Sequence, residues 1–208
     1  MLCYFGNFTE IDETVAKAAL HAMWSISSEK SGAKHLTASG ACGVLMKCFR
    51  QYPDPEARLT HAIVVIMGNI CLHDFDAKKQ FTDVGACDLI LSILRDTSDE
   101  VDEKAVDHAV WTMRLLAKDN EEAVNQFVAA DACTTLLYRL RQHTADVNIA
   151  AESLRVIKIL SSTNKSMIEQ LKSWGAHEII EVVMSTYITN DEIQTNGRSI
   201  CLTLKEPG

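Results

Sequence analysis

Apolar positions recur along this chain with a helical period, and the same recurrence is written five times. Val15, Ala19, Ala22, Met23 and Ile26 follow the spacing i, i+4, i+7, i+8, i+11, which is one face of an α-helix. The spacing returns at Leu59, Ile63, Ile66, Met67 and Ile70, and again at Ala105, Ala109, Thr112, Met113 and Leu116. Two further copies run through Ile149, Ser153, Val156, Ile157 and Leu160, and through Ile193, Gly197, Ile200, Cys201 and Leu204. The copies stand 44 to 46 residues apart, so the chain is an internal repeat with one long helix per copy.

A second register has the same interval. Gly40-Ala41-Cys42 returns as Gly85-Ala86-Cys87, as Asp131-Ala132-Cys133 and as Gly175-Ala176-His177, after 45, 46 and 44 residues. Leu36, Phe81, Phe127 and Leu171 precede these motifs by four residues, and an apolar stretch of helical period follows each. Every unit therefore reads as three helices. A short first helix ends at the glycine, which takes the left-handed conformation that closes a helix. Asp131 replaces that glycine once, and Asp tolerates the conformation better than most residues. A second helix of about three turns follows. Asp54, Ser98-Asp99, Asp146 and Asn190-Asp191 then supply capping groups before the third and longest helix.

The third helices read Ala19-Leu20-His21-Ala22-Met23-Trp24-Ser25-Ile26-Ser27, Ile63-Val64-Val65-Ile66-Met67-Gly68-Asn69-Ile70-Cys71, and Ala109-Val110-Trp111-Thr112-Met113-Arg114-Leu115-Leu116-Ala117. With the Gly-Ala motif and the separate short first helix, they resemble armadillo repeats more than HEAT repeats. The resemblance covers about 190 residues. It implies an all-α protein, a right-handed α-solenoid of about four three-helix armadillo-type repeats plus a preceding partial repeat. Residues 1–208 are expected to form a single domain: a partial repeat over 1–28, then repeats over 29–73, 74–118, 119–163 and 164–205. Leu2, Tyr4, Phe5 and Phe8 match Met46, Cys48, Phe49 and Tyr52 at an offset of 44. The chain is thus expected to open inside the second helix of a preceding repeat, an apolar end suited to self-association.

Composition narrows the function. Hydrophobic residues make up 47% and charged residues 23%, with three prolines and nine glycines, as a helical globular chain requires. The net charge of −8 disfavours nucleic acid and polybasic membrane contact, and suits a protein or peptide partner of basic or mixed charge. Seven cysteines, an odd number without a CxxC pair, read as reduced thiols in a cytoplasmic or nuclear protein. The apolar run Ala62 to Leu72 is broken by Gly68 and Asn69 and is too short to span a bilayer. No nucleophile elbow, phosphate loop, dinucleotide fingerprint or HExxH spacing occurs, so no catalytic residue, metal or cofactor is expected. Cys42, Cys87 and Cys133 share one repeat position, but adjacent repeats lie about 10 Å apart, which favours packing over metal ligation. The acidic run Asp96, Asp99, Glu100, Asp102 and Glu103 reads as a solvated loop before a third helix.

The resemblance implies a non-catalytic scaffold or adaptor that binds a partner segment along a groove of third helices. In the family's nuclear-import adaptors a Trp and an Asn four residues later clamp an extended basic peptide. The matching pairs here are His21 and Ser25, Val65 and Asn69, Trp111 and Leu115, Arg155 and Ile159. Only Asn69 and Trp111 fit, in different repeats, which disfavours an import-type cargo adaptor. Candidate partner-binding residues are therefore Lys17, His21, His61, Val65, Asn69, Asp107, Trp111, Leu115, Arg155 and Ile159. Val65, Leu115 and Ile159 have a second reading, as packing between repeats. His108, beside Asp107, is expected on another side of its helix. The competing function is a structural or regulatory segment of a larger protein that associates through its repeat ends.

Overall fold

In a computed structural model, residues 13–52, 58–96 and 103–205 are described. They hold thirteen α-helices and no strand: α1 Glu13–Ser27, α2 Lys30–Ala38, α3 Ala41–Gln51, α4 Arg58–His73, α5 Phe75–Asp83, α6 Ala86–Arg95 and α7 Glu103–Ala117. After these come α8 Glu121–Ala129, α9 Ala132–Gln142, α10 Val147–Thr163, α11 Lys165–Ser173, α12 Ala176–Thr186 and α13 Asp191–Lys205. The short-medium-long order of helices recurs from α2 through α13. The expected apolar end at Leu2, Tyr4, Phe5 and Phe8, and the caps at Asp54 and Ser98-Asp99, lie outside the described residues.

Local chemistry sets the boundaries. Gly40, Gly85 and Gly175 have φ of 81°, 89° and 65°, and Asp131 holds the same left-handed conformation at 54°. Each is the hinge between a first and a second helix. Asn and Asp side chains open the helices that follow a connector. Asp146 accepts from the backbone N–H of Asn148 at 2.8 Å and of Ile149 at 3.1 Å. Asn190 does the same for Glu192 at 3.2 Å and Ile193 at 3.1 Å. Asp74, Asn120 and Asn164 cap α5, α8 and α11. The His73-Asp74-Phe75-Asp76 connector is thus a helix cap.

The core follows the repeated face. The copies on α4, α7, α10 and α13 are buried throughout, down to Thr112 and Ser153. On α1 the face is rotated: Val15 is 41% and Ile26 43% exposed, while Ala16, Ala19, Leu20 and Met23 are buried. This helix packs on α2 and α4, and those neighbours decide which edge is covered. Phe81 and Phe127, four residues ahead of their motifs, are fully buried anchors of the first helices.

The helices gather into two compact units, one ending at Leu116 and one beginning at Ala117. The first holds α1 to α7 and the second α8 to α13.

Candidate interaction surface

In the first unit the third helices α1, α4 and α7 carry a row of rings that the sequence reading only half identified. The Trp24 and His61 centroids lie 5.8 Å apart in an edge-on arrangement. His61 meets His108 at 4.9 Å, and His108 meets Trp111 edge-on at 6.3 Å. The row runs from α1 through α4 to α7; Trp24 is exposed, at 36%, and the other three rings are half-buried. His61 and Trp111 were expected here. His108, expected to face a different side of its helix from Asp107, completes the row, because it stands three residues before Trp111 and residues three apart share a helix face.

Backbone packing positions the row. Gly68 on α4 sits against the Trp111 indole, so that an added Cβ would lie 2.0 Å from its Cζ3 and 2.6 Å from Thr112 Oγ1. Thr112 Oγ1 donates to the Val64 carbonyl at 3.1 Å, tying α7 to α4. Asn69 Nδ2 donates to Ser27 Oγ at 3.1 Å, and Ser27 Oγ donates to the Trp24 carbonyl at 2.8 Å, which ties α4 to α1. Asn69 therefore braces the helices behind Trp24 as well as bordering the surface. His108 Nδ1 lies 2.7 Å from the Lys104 carbonyl and 3.1 Å from His61 Nε2.

Lys17 and His21 are exposed on α1, with Lys17 paired to Glu13 at 2.5 Å. Asp107 is half-buried on α7. Val65 and Leu115 are only 5% and 4% exposed. Their expected place in a groove gives way to their other reading: they are packing residues with no surface for a partner.

In the second unit, Arg155 on α10 is already engaged. Its guanidinium bonds both carboxylate oxygens of Glu192 on α13 and one of Glu152, a turn earlier on α10. These carboxylates hold the Arg155 pKa above its ordinary value, the hydrogen bonds that Arg155 donates to Glu192 first among the causes. One turn on, Lys158 Nζ donates to Asn196 Oδ1 at 3.2 Å. Ile159 is half-buried and lines a cleft of about 330 Å³ with Val124, Asn120 and Ser162. Arg155 is thus a strut between helices before it is a contact for a partner.

Six cysteines among the described residues are buried thiols outside any disulfide. Burial pushes the Cys42 and Cys133 thiols up to about 12, and raises Cys71, Cys48 and Cys201 as well. They are protonated packing groups, poor nucleophiles at neutral pH. Among the described residues no three His, Cys, Asp or Glu side chains converge as metal ligands, and no helix is long and apolar enough to cross a membrane.

No protein-family model matches the chain. Over 157 residues it is 18% identical to the mouse (Mus musculus) telomere repeats-binding bouquet formation protein 1, a match covering 76% of this chain and 20% of that protein. The chain thus spans about a fifth of that relative's length. Among solved structures it is similar to a designed armadillo repeat protein in complex with the peptide (KR)4, with a TM-score of 0.76 and 23% identity over 98% of this chain and 80% of that one. A computationally designed armadillo protein for modular peptide recognition gives 0.79 and 21%, over 95% and 79% of the two chains. A chain from a structure of the interaction between cadherin and beta-catenin gives 0.84 and 19%, over 98% of this chain and 36% of that one. These likenesses, with the all-helical order of elements, establish the fold as an armadillo-type α-solenoid.

Proposed function

We propose that this chain is a non-catalytic binding module that holds a segment of a partner protein against the third helices of its first unit. The observation that carries this reading is the Trp24–His61–His108–Trp111 row. Partly exposed indoles fixed by close backbone packing supply contact area at small entropic cost, which is the composition of interaction hot spots. Lys17 and His21 are exposed, and Asn69 and Asp107 half-buried, on the same third helices, which adds cationic, polar and anionic groups. Arg155 and Ile159 form a secondary patch on the second unit, while Val65 and Leu115 are buried. Structural neighbours that bind peptides support the class of function, and a basic or mixed-charge segment fits a chain of net charge −8.

The bouquet formation protein is named for binding telomere repeats. For the present chain, the −8 charge opposes contact with a phosphate backbone, so we assign it a protein ligand.

The test is selection of binders from a random peptide library displayed on phage, followed by affinity measurement on Trp24→Ala and Trp111→Ala. Each variant should weaken the selected peptides about tenfold or more, with helix content unchanged by circular dichroism. Equal affinity in wild type and both variants would remove the row as the binding surface. The (KR)4 peptide is the comparison ligand: tight binding to it alone would favour an import-type clamp instead.

A further inference from the structure

We infer that His108 makes the centre of this surface a hydrogen-bond acceptor, so that the segment held there must bring an N–H or O–H donor to that point. This rests on the surface assigned above and names the chemistry that it selects. The positions of the protons decide it. His108 Nδ1 lies 2.7 Å from the Lys104 carbonyl and 3.1 Å from His61 Nε2. A carbonyl only accepts, so His108 Nδ1 carries the proton and shares it between the two. The neutral ring then keeps its lone pair on Nε2, the far nitrogen.

That lone pair is unspent. His108 Nε2 makes no hydrogen bond among the described residues. The buried polar side-chain atoms left without a partner among those residues are Ser153 Oγ, Gln170 Oε1 and Tyr187 OH. Nε2 of the half-buried His108 is not one of them, so it meets water. Its direction is also fixed. A half-turn of the ring would put a carbon in the place of Nδ1 and forfeit the bonds to Lys104 and His61.

The other rings of the row have no lone pair to give. An indole has an N–H and no acceptor. His61 spends its Nε2 lone pair on His108, which leaves the proton of its own neutral ring on Nδ1. One acceptor therefore stands in a row of four rings, with Trp111 edge-on to it at 6.3 Å, His61 at 4.9 Å on the other side and Trp24 beyond.

A peptide segment across α1, α4 and α7 matches this row with apolar groups on the indoles and a donor between them. A carbonyl, carboxylate or phosphate set against Nε2 would meet lone pair with lone pair. Two acceptors would then lose water and gain nothing, which discriminates more sharply than a lost apolar contact. The donor has two sources, a main-chain amide or a polar side chain of the segment.

The proton on His108 is located without a partner. Two-bond ¹H–¹⁵N correlation of the ring at pH 8 should show Nδ1 protonated and Nε2 bare, and the reverse would overturn the inference. The ligand's side is tested with a peptide selected from the displayed library. Each of its amides is replaced in turn by an ester, and each donor side chain by an apolar one of similar shape. One replacement should weaken binding to wild type about three- to tenfold. The same replacement should leave binding to His108→Phe, which keeps a ring without the lone pair, nearly unchanged. An ester at that position marks a main-chain donor, and a side-chain replacement marks the other source. No replacement coupled to His108 would overturn the inference. Should His108→Phe fail to fold, the Nε2 signal of wild type decides: it should move upfield when the peptide binds, and a fixed signal overturns the inference. Affinity kept in Trp24→Ala and Trp111→Ala would sink the surface assignment and the selection with it, whereas affinity lost in both with no coupled donor sinks the selection alone.

Discussion

Trp111 rests directly on Gly68: a Cβ at position 68 would lie 2.0 Å from the indole Cζ3 and 2.6 Å from Thr112 Oγ1. Glycine in a helix interior ordinarily costs about 1 kcal/mol relative to alanine, so Gly68 is retained against local propensity. The close approach of α4 and α7 explains why. Gly68→Ala should destabilise the protein by about 1–3 kcal/mol net of the propensity gain. It should also displace the Trp111 indole and shift its fluorescence. Urea unfolding followed at the tryptophans checks both, and a stabilised variant with unchanged emission would refute the packing.

Arg155 offers a contrast between an exposed and a buried partner. Glu152 has a side chain only 11% exposed, whereas Glu192 is 45% exposed. Arg155→Met takes a charge-assisted hydrogen bond from the mostly buried Glu152 carboxylate and should cost about 1–3 kcal/mol. Glu192→Gln removes only the wet side of the network and should cost under about 1 kcal/mol. Equal losses from the two variants in chemical denaturation would show that burial of Glu152 is not what matters.

What the sequence shows and what it hides divide along the range of the interactions. The left-handed hinges at Gly40, Gly85, Asp131 and Gly175 and the Asp146 and Asn190 caps are decided within a few residues, and they were legible. So were the faces of α4, α7, α10 and α13, because each is enclosed on all sides of its stripe. The face of α1 was half misread, since exposure of Val15 and Ile26 depends on which helices cover them. The site was harder. Arg155 meets Glu192 across 37 residues, and His61 meets His108 across 47. No local pattern announces either. One signal was present and went unused: His108 stands three residues before Trp111, on the same helical face. Val65 and Leu115 fell on the wrong side of a register in which one residue separates surface from interior.

The hinges make a prediction of their own. Nothing lies within 4 Å of a Cβ built on Gly40, whose φ is 81°. Gly40→Ala therefore measures backbone conformation without a clash, and should cost about 1–2 kcal/mol. Asp131→Gly relieves the same strain but removes the 2.9 Å bond from Thr134 Oγ1 to the Asp131 carboxylate. The two effects oppose each other, and the variant should lie within about 1 kcal/mol of wild type. Thermal melts of both variants test this, and a neutral Gly40→Ala would contradict the left-handed hinge.

The buried thiols predict how stability responds to alkali. Cys42 and Cys133 are raised to about 12 by burial, whereas a thiol in an unfolded chain titrates near 8.5. Above that lower value the unfolded state loses its thiol protons and the folded state keeps them. With fewer protons bound in the unfolded state, unfolding becomes easier as pH rises. The contribution is intact below about pH 8.5 and drains towards the folded value, at up to about 1.4 kcal/mol per pH unit for each such thiol. Urea midpoints under reducing conditions should therefore fall between pH 8 and 10, a window below most lysine titration. Cys42→Ala should flatten that slope by one thiol's share, whatever its effect on the absolute midpoint. A midpoint independent of pH across this range would show that the thiols ionise as readily in the fold as outside it, and that the interior around Cys42 admits water.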